Sequence, residues 1–81
     1  MHTFKIVYFQ NGKPADIGIN LGEELAVKEA AALNAIKPGY DAIQITDLTT
    51  LLLGPRFHYQ QGRMDPREAL GFCLEQKRTR Q

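Results

Sequence analysis

Residues 3–21 read TFKIVYFQNGKPADIGINL, two alternating runs joined by the pair Asn11-Gly12. Both residues of the pair readily adopt the positive φ that a type I′ turn needs at its two central positions. This turn is the tightest connection between antiparallel strands. The sequence therefore predicts a β-hairpin at the start of the chain, with one strand on each side of the pair.

The two predicted strands differ in how their apolar residues are distributed. The first carries them on both faces, which favours a position inside the sheet rather than at its edge. Its faces carry Phe4, Ile6 and Tyr8 on one side and Lys5, Val7 and Phe9 on the other. Because the turn sets the register, we expect Val7 and Phe9 to point away from the core.

The second predicted strand has the alternation of a strand with one buried face. Its two faces carry Ile17, Ile19 and Leu21 on one side and Asp16, Gly18 and Asn20 on the other. Pro14 and Gly18 weaken the strand, since proline cannot donate to the ladder and glycine has no side chain to pack. Both residues favour a position at the edge of the sheet.

Residues 23–36 predict a helix directly after the hairpin. The stretch contains five alanines and opens with two acidic residues, which suit the positive end of the helix dipole. Pro38 ends the helix. A contact stripe of mostly small side chains allows the helix to lie close to the sheet. We expect that stripe to consist of Ala26, Val27, Ala30, Leu33 and Lys37.

Residues 42–47 predict a third strand. Its side chains are expected to alternate, with Ile43 and Ile45 inward and Gln44 and Thr46 outward. A fourth strand is predicted to begin at residues 51–53, to be interrupted by Gly54-Pro55 and to resume over residues 56–60. The alternative for residues 48–53 is a short apolar helical turn.

Asp65 predicts the start of a last helix over residues 66–78. Its side chain can cap free amides, Pro66 suits the first helical position, and Glu68 completes a variant of the capping box. We expect the buried stripe of this helix to be Ala69, Leu70, Cys73 and Leu74. The chain thus predicts a single α+β domain over residues 1–81, with a four-stranded antiparallel sheet and the order β-β-α-β-β-α.

The composition limits the classes of protein to which this chain can belong. Ten Lys and Arg residues against nine Asp and Glu residues give a formal net charge of +1, which is not the surplus of a nucleic-acid binder. A single cysteine permits no disulfide within one chain and suits a reducing compartment. We find neither a membrane-span pattern nor a signal-peptide pattern. We expect a cytoplasmic protein that does not contact a membrane. Formation of a homodimer would help to stabilise so short a chain.

Candidate catalytic residues are few. The chain has no serine and no glycine-rich phosphate loop. Cys73 and His58 would form a nucleophile and its base, but Cys73 falls on an apolar helix stripe, where cysteine is usually a core residue. The two histidines and the cysteine lack the spacing of metal ligands. We predict a protein that is not an enzyme and has no metal or cofactor; a small Cys/His enzyme is the least favoured alternative.

The predicted sheet has one face that the two helices would leave uncovered. We predict that this face binds a protein or nucleoprotein partner, because it mixes cations, amides and an aromatic ring. The predicted partner-binding residues are Lys5, Val7, Phe9, Arg56, His58 and Gln60, with Gln44 and Thr46 between them. The alternative is the ordinary polar side of an antiparallel sheet, which accounts poorly for Val7 and Phe9.

A basic C-terminal tail supports a second function, direct binding of nucleic acid. The residues that would contact phosphates are Arg56, Arg63, Lys77, Arg78 and Arg80. Each such contact would add affinity that falls with salt. The alternative is a solvated helix end, whose cations suit the negative end of the helix dipole.

The order of elements over residues 3–60 resembles small phage and mobile-element proteins, among them type I anti-CRISPR proteins. The features that carry the resemblance are a lysine-bearing first strand, a glycine-containing turn, a polar-alternating second strand, an alanine-rich helix and further strands. The final capped helix is not part of this shared order of elements. The resemblance assigns no functional residue to this chain. The resemblance implies an inhibitor of a host defence complex that acts by occupying a surface.

Overall fold

The computed structural model describes residues 2–51, 59–60 and 62–79. It is an α+β fold, as predicted, with three long antiparallel strands, two long helices, one short helix and one two-residue strand. The elements in chain order are β1 (His2–Gln10), β2 (Lys13–Gly22), α1 (Glu24–Ile36), β3 (Ala42–Asp47), α2 (Leu48–Leu51), β4 (Tyr59–Gln60) and α3 (Pro66–Thr79).

The hairpin between β1 and β2 has the predicted turn. Asn11 and Gly12 have φ values of 54° and 78°, the positive values that a type I′ turn needs. The Asp41 carboxylate accepts the backbone N–H of Asn11 at 2.6 Å. The backbone N–H of Asp41 donates to the carbonyl of Phe9 at 3.0 Å. The turn is therefore held by the chain just before β3 as well as by its own strands.

The sheet has the order β2-β1-β3-β4, and every neighbouring pair is antiparallel. The predictions that β1 lies inside the sheet and β2 at its edge are confirmed. The backbone of Met64 exchanges hydrogen bonds of 2.9 and 3.0 Å with that of Ile43. The chain after β4 therefore also runs beside β3.

The region after β3 differs from the predicted order. Residues Leu48–Leu51 form α2, so a fourth strand that begins at Leu51 is wrong, and the helical-turn alternative holds over these residues. The Asp47 carboxylate accepts the N–H of Thr49 at 3.0 Å, which satisfies one of the free amides of the first turn. Residues 52–58 lie outside the described part of the chain. The observed order is β-β-α-β-α-β-α. The predicted order differs because a short apolar run does not reveal by periodicity whether it is a strand or a helix.

One face of the sheet packs against α1, with Ala69 of α3 at its margin, and forms the hydrophobic core; we call it the helix-covered face. The contribution of α1 is mostly alanine, and small side chains allow its backbone to lie close to the larger side chains of the sheet. The buried residues of the core are Phe4, Ile6, Tyr8, Val27, Ala31, Ala32, Ala35, Ile43, Ile45 and Ala69.

The buried stripe of α1 is not the predicted one. Leu33 was expected on the buried stripe but is 52% exposed, whereas Ala32, which was not part of that stripe, is fully buried. The buried residues of this helix are Val27, Ala31, Ala32 and Ala35. Alanine is both small and weakly apolar, so a helix with alanines on several sides gives little periodic signal of which side faces the core.

The start of α3 confirms the predicted cap. The Asp65 carboxylate accepts the N–H groups of Arg67 and Glu68 at 2.8 and 3.4 Å. Ala69 and Cys73 are buried as expected. Leu74 was expected on the same stripe but is 47% exposed, because α3 packs mainly beside α1 and lies at the margin of the sheet.

Candidate functional site

A one-residue bulge in β2 determines which side chains lie on each face of the sheet. The turn pairs Gln10 with Lys13 and Phe9 with Pro14, and the next pair is Tyr8 with Asp16. Ala15 is the extra residue, so it has no partner opposite. Because side chains alternate with a period of two, one extra residue moves every later side chain of β2 to the other face.

The bulge reverses the direction that the turn alone predicts for the later side chains of β2. Pairing without a bulge would place Ile17 opposite Ile6, on the helix-covered face. The structure instead places Gly18 opposite Ile6 and Ile17 opposite Val7. The apolar residues of β2 therefore lie on the face away from the helices, which we call the open face.

The side chains of β2 on the open face are exposed. Ile17, Ile19 and Leu21 have 61%, 57% and 69% of their surface accessible. Val7 lies opposite Ile17 and Lys5 opposite Ile19, and both are half-buried. These five residues share one face of two adjacent strands, and we call them the open-face patch. The patch combines four aliphatic side chains with the long aliphatic stem and single charge of a lysine.

Phe9 was predicted to be part of the binding surface, but it is not available to a partner. It is only 3% exposed. The guanidinium of Arg63 lies over its ring, 3.9 Å from the ring centroid to the carbon Cζ. The same guanidinium donates to the carbonyl of Gly12 at 3.5 Å. Arg63 therefore closes the hairpin end of the open face by a cation–π contact, and the exposed part of that face lies further along β1 and β2.

The remaining residues of the predicted surface have different positions. Lys5 and Val7 belong to the open-face patch, as expected. Thr46 was expected outward but is 3% exposed. Gln60 pairs through its backbone with Thr46 in the β3–β4 ladder. Arg56 and His58 lie outside the described residues.

The open-face patch contains three residues whose alternation predicts a buried face: Ile17, Ile19 and Leu21. A weak signal for their position was present. Pro14 and Gly18 both interrupt the strand, and such residues often mark a bulge. Nothing in the sequence indicated that the bulge falls at Ala15, before the apolar residues, which is what reverses their direction.

The cations predicted to contact nucleic acid have neighbours within the protein. Lys77 pairs with the Glu29 carboxylate at 2.6 Å, which joins α3 to α1. Arg78 lies 4.0 Å from Glu75 on the same helix. Arg63 stacks on Phe9. Arg80 lies outside the described residues.

Cys73 lies in the interior. It is fully buried, and its thiol donates to the carbonyl of Leu25 at 3.7 Å. Burial raises the pKa of the Cys73 thiol above its ordinary value, while the charges of Lys28 and Lys77 act in the opposite direction. The neutral thiol is a poor nucleophile, so the geometry around Cys73 is that of a core residue.

The described residues hold neither a group of metal ligands nor a helix that could cross a membrane. Within residues 2–51, 59–60 and 62–79, no three His, Cys, Asp or Glu side chains are grouped so that they could hold a metal ion. Across the same ranges, none of the helices has the length and apolar character needed to cross a membrane.

Comparison of the chain with protein-family models, with curated proteins and with solved structures finds no match. The resemblance to anti-CRISPR proteins therefore stays a prediction from the order of elements. The candidate site rests on the geometry of the open face alone.

Proposed function

We propose that the protein is a non-catalytic binding protein and that its open-face patch binds a protein partner. The observation that supports this most strongly is the exposure of Ile17, Ile19 and Leu21 side by side on one strand. A single exposed aliphatic residue is ordinary, whereas a contiguous apolar patch on a sheet is typical of an interaction surface.

The chemistry of the patch favours a protein partner over nucleic acid. Four of its five residues are aliphatic, and Lys5 is its one charged member. Nucleic-acid surfaces need several cations for the phosphates, or aromatic side chains on which bases stack. An apolar centre with a polar margin is instead the composition of protein–protein interfaces. An inhibitor that occupies a surface of a host complex is one kind of protein that would use such a patch.

The test compares two leucines with similar exposure on opposite sides of the molecule. Leu21→Lys introduces a charge into the open-face patch, and Leu33→Lys introduces the same charge on the outer side of α1. Each tagged variant is used to capture partners from the cells that produce the protein, and captured proteins are quantified by mass spectrometry. The affinity of each variant for the captured partner is then measured directly.

We expect Leu21→Lys to weaken partner binding by roughly 30-fold, the effect of about 2 kcal/mol at an interface hot spot. Leu33→Lys should bind as the unmodified chain does. Equal binding by both variants, or a larger loss for Leu33→Lys, would contradict the proposal. Circular dichroism of both variants confirms that the fold is retained.

A further inference from the structure

The outer edge of β2 is a second surface, distinct from the open face. β2 has ten residues, about twice the usual strand length, and among the described residues its only ladder partner is β1. An edge strand presents free N–H and C=O groups, and proteins usually block such edges with Lys, Pro or a bulge. In β2 these features stand together at one end, at Lys13, Pro14 and Ala15. Residues 16–22 carry none of them; the Ile17 N–H donates to the Asp16 carboxylate at 2.9 Å, a local contact that strand pairing would replace.

The sequence of residues 16–22 is complementary to itself. When two copies run antiparallel with Ile19 opposite Ile19, Ile17 of each copy lies opposite the partner's Leu21. All three apolar residues then form cross-strand pairs on one face, and such pairs stabilise a sheet. Asp16 is the only charged residue of the segment, and this register places it opposite the partner's Gly22. No like charges are opposed.

We propose that two copies of the chain pair through the edge of β2, antiparallel and centred on Ile19. The two-fold axis of this pairing is perpendicular to the sheet, so both open faces lie on the same side. The two open-face patches then join across the axis into one larger apolar surface. That this joined surface binds the protein partner rests on the proposed function, whereas the pairing itself does not.

A second copy fits this edge better than an unrelated strand does. Pairing with a second copy gives each of the three apolar residues an apolar partner, and the formal net charge of +1 gives little repulsion between copies. An 81-residue chain also buries a modest core, so pairing through an edge adds stability that one copy lacks.

Disulfide cross-linking tests the pairing at its centre. In Ile19→Cys the two introduced cysteines would have Cα atoms about 4.5–5.5 Å apart, within the range for a disulfide. Lys5→Cys is the matched control, since Lys5 lies on the same face directly opposite Ile19. It is one strand further from the axis, so two copies would hold it about 14 Å apart. The unmodified chain controls for Cys73, which is fully buried.

We expect Ile19→Cys to form a disulfide dimer as the main product under mild oxidation, and the Lys5→Cys and unmodified chains to stay uncross-linked. Light scattering of the unmodified chain should give twice the mass of one chain. A monomer by light scattering, or equal cross-linking of Lys5→Cys, would overturn edge pairing; the second result would indicate face-to-face stacking.

The outcomes separate this inference from the proposed function. A dimer whose partner binding does not respond to Leu21→Lys supports the pairing and contradicts the role of the patch. A monomer whose partner binding is lost in Leu21→Lys contradicts the pairing and supports the role of the patch. A foreign strand at this edge would appear as a captured protein that cross-links to Ile19→Cys in place of a second copy, and it too would overturn the pairing.

Discussion

The helix-covered face and the open face of the sheet carry the same kinds of side chain in different surroundings. Ile6 and Ile45 on the helix-covered face are 0% and 2% exposed, whereas Ile17 and Ile19 on the open face are more than half exposed. Hydropathy does not distinguish the two pairs, since all four residues are isoleucine. The difference arises from register: one extra residue at Ala15 turns the later side chains of β2 away from the helices.

The largest expected effect comes from truncating one isoleucine on each face. Ile6→Ala should lower the free energy of unfolding by about 2–5 kcal/mol, because it leaves a cavity in the core. Ile19→Ala should lower it by no more than about 0.5 kcal/mol, as is usual for an exposed position. Urea denaturation at a concentration where the chain is monomeric measures both values. Equal losses would mean that the two faces are equally buried.

The parts of the fold that could be predicted depend on strong local chemistry. The Asn11-Gly12 turn, the boundaries of β3 and the Asp65 cap each follow from residues whose conformational preference is large. The fold class follows from the order of those elements. These features need no knowledge of what packs against them.

The parts that could not be predicted depend on packing between elements. The predicted buried side of α1 was wrong because alanine gives a weak periodic signal. The strand predicted to begin at Leu51 was wrong, and its helical alternative held, because a short apolar run fits either element. Of the residues predicted to bind a partner, Lys5 and Val7 lie half-buried on the open face, whereas Phe9 is buried. The three most exposed members of the open-face patch were assigned to the core, since the position of a bulge depends on the whole ladder.

A smaller effect is expected at the turn that begins the ladder. Gly12 has a φ of 78°, and a Cβ added there would meet nothing within 4 Å. Gly12→Ala should therefore cost about 1–2 kcal/mol through backbone conformation alone. Gly71 lies within α3 and has the same free space, so Gly71→Ala should stabilise the protein by about 0.5–1 kcal/mol.

Thermal or urea unfolding of the two glycine variants measures this difference in sign. The turn and the bulge together set the register of β2. The stability lost in Gly12→Ala therefore indicates how much the turn contributes to keeping each side chain of β2 on its face of the sheet. A neutral Gly12→Ala would contradict the requirement for positive φ at this position.

The bulge at Ala15 places Ile17 and Ile19 on the open face. The most direct measurement is the relaxation of isoleucine methyl groups by a soluble paramagnetic agent in NMR. We predict strong relaxation of the Ile17 and Ile19 methyl groups and little of those of Ile6 and Ile45, with a nuclear Overhauser contact between Ile17 and Val7. Protection of the Ile17 and Ile19 methyl groups together with a contact between Ile17 and Ile6 would contradict the account.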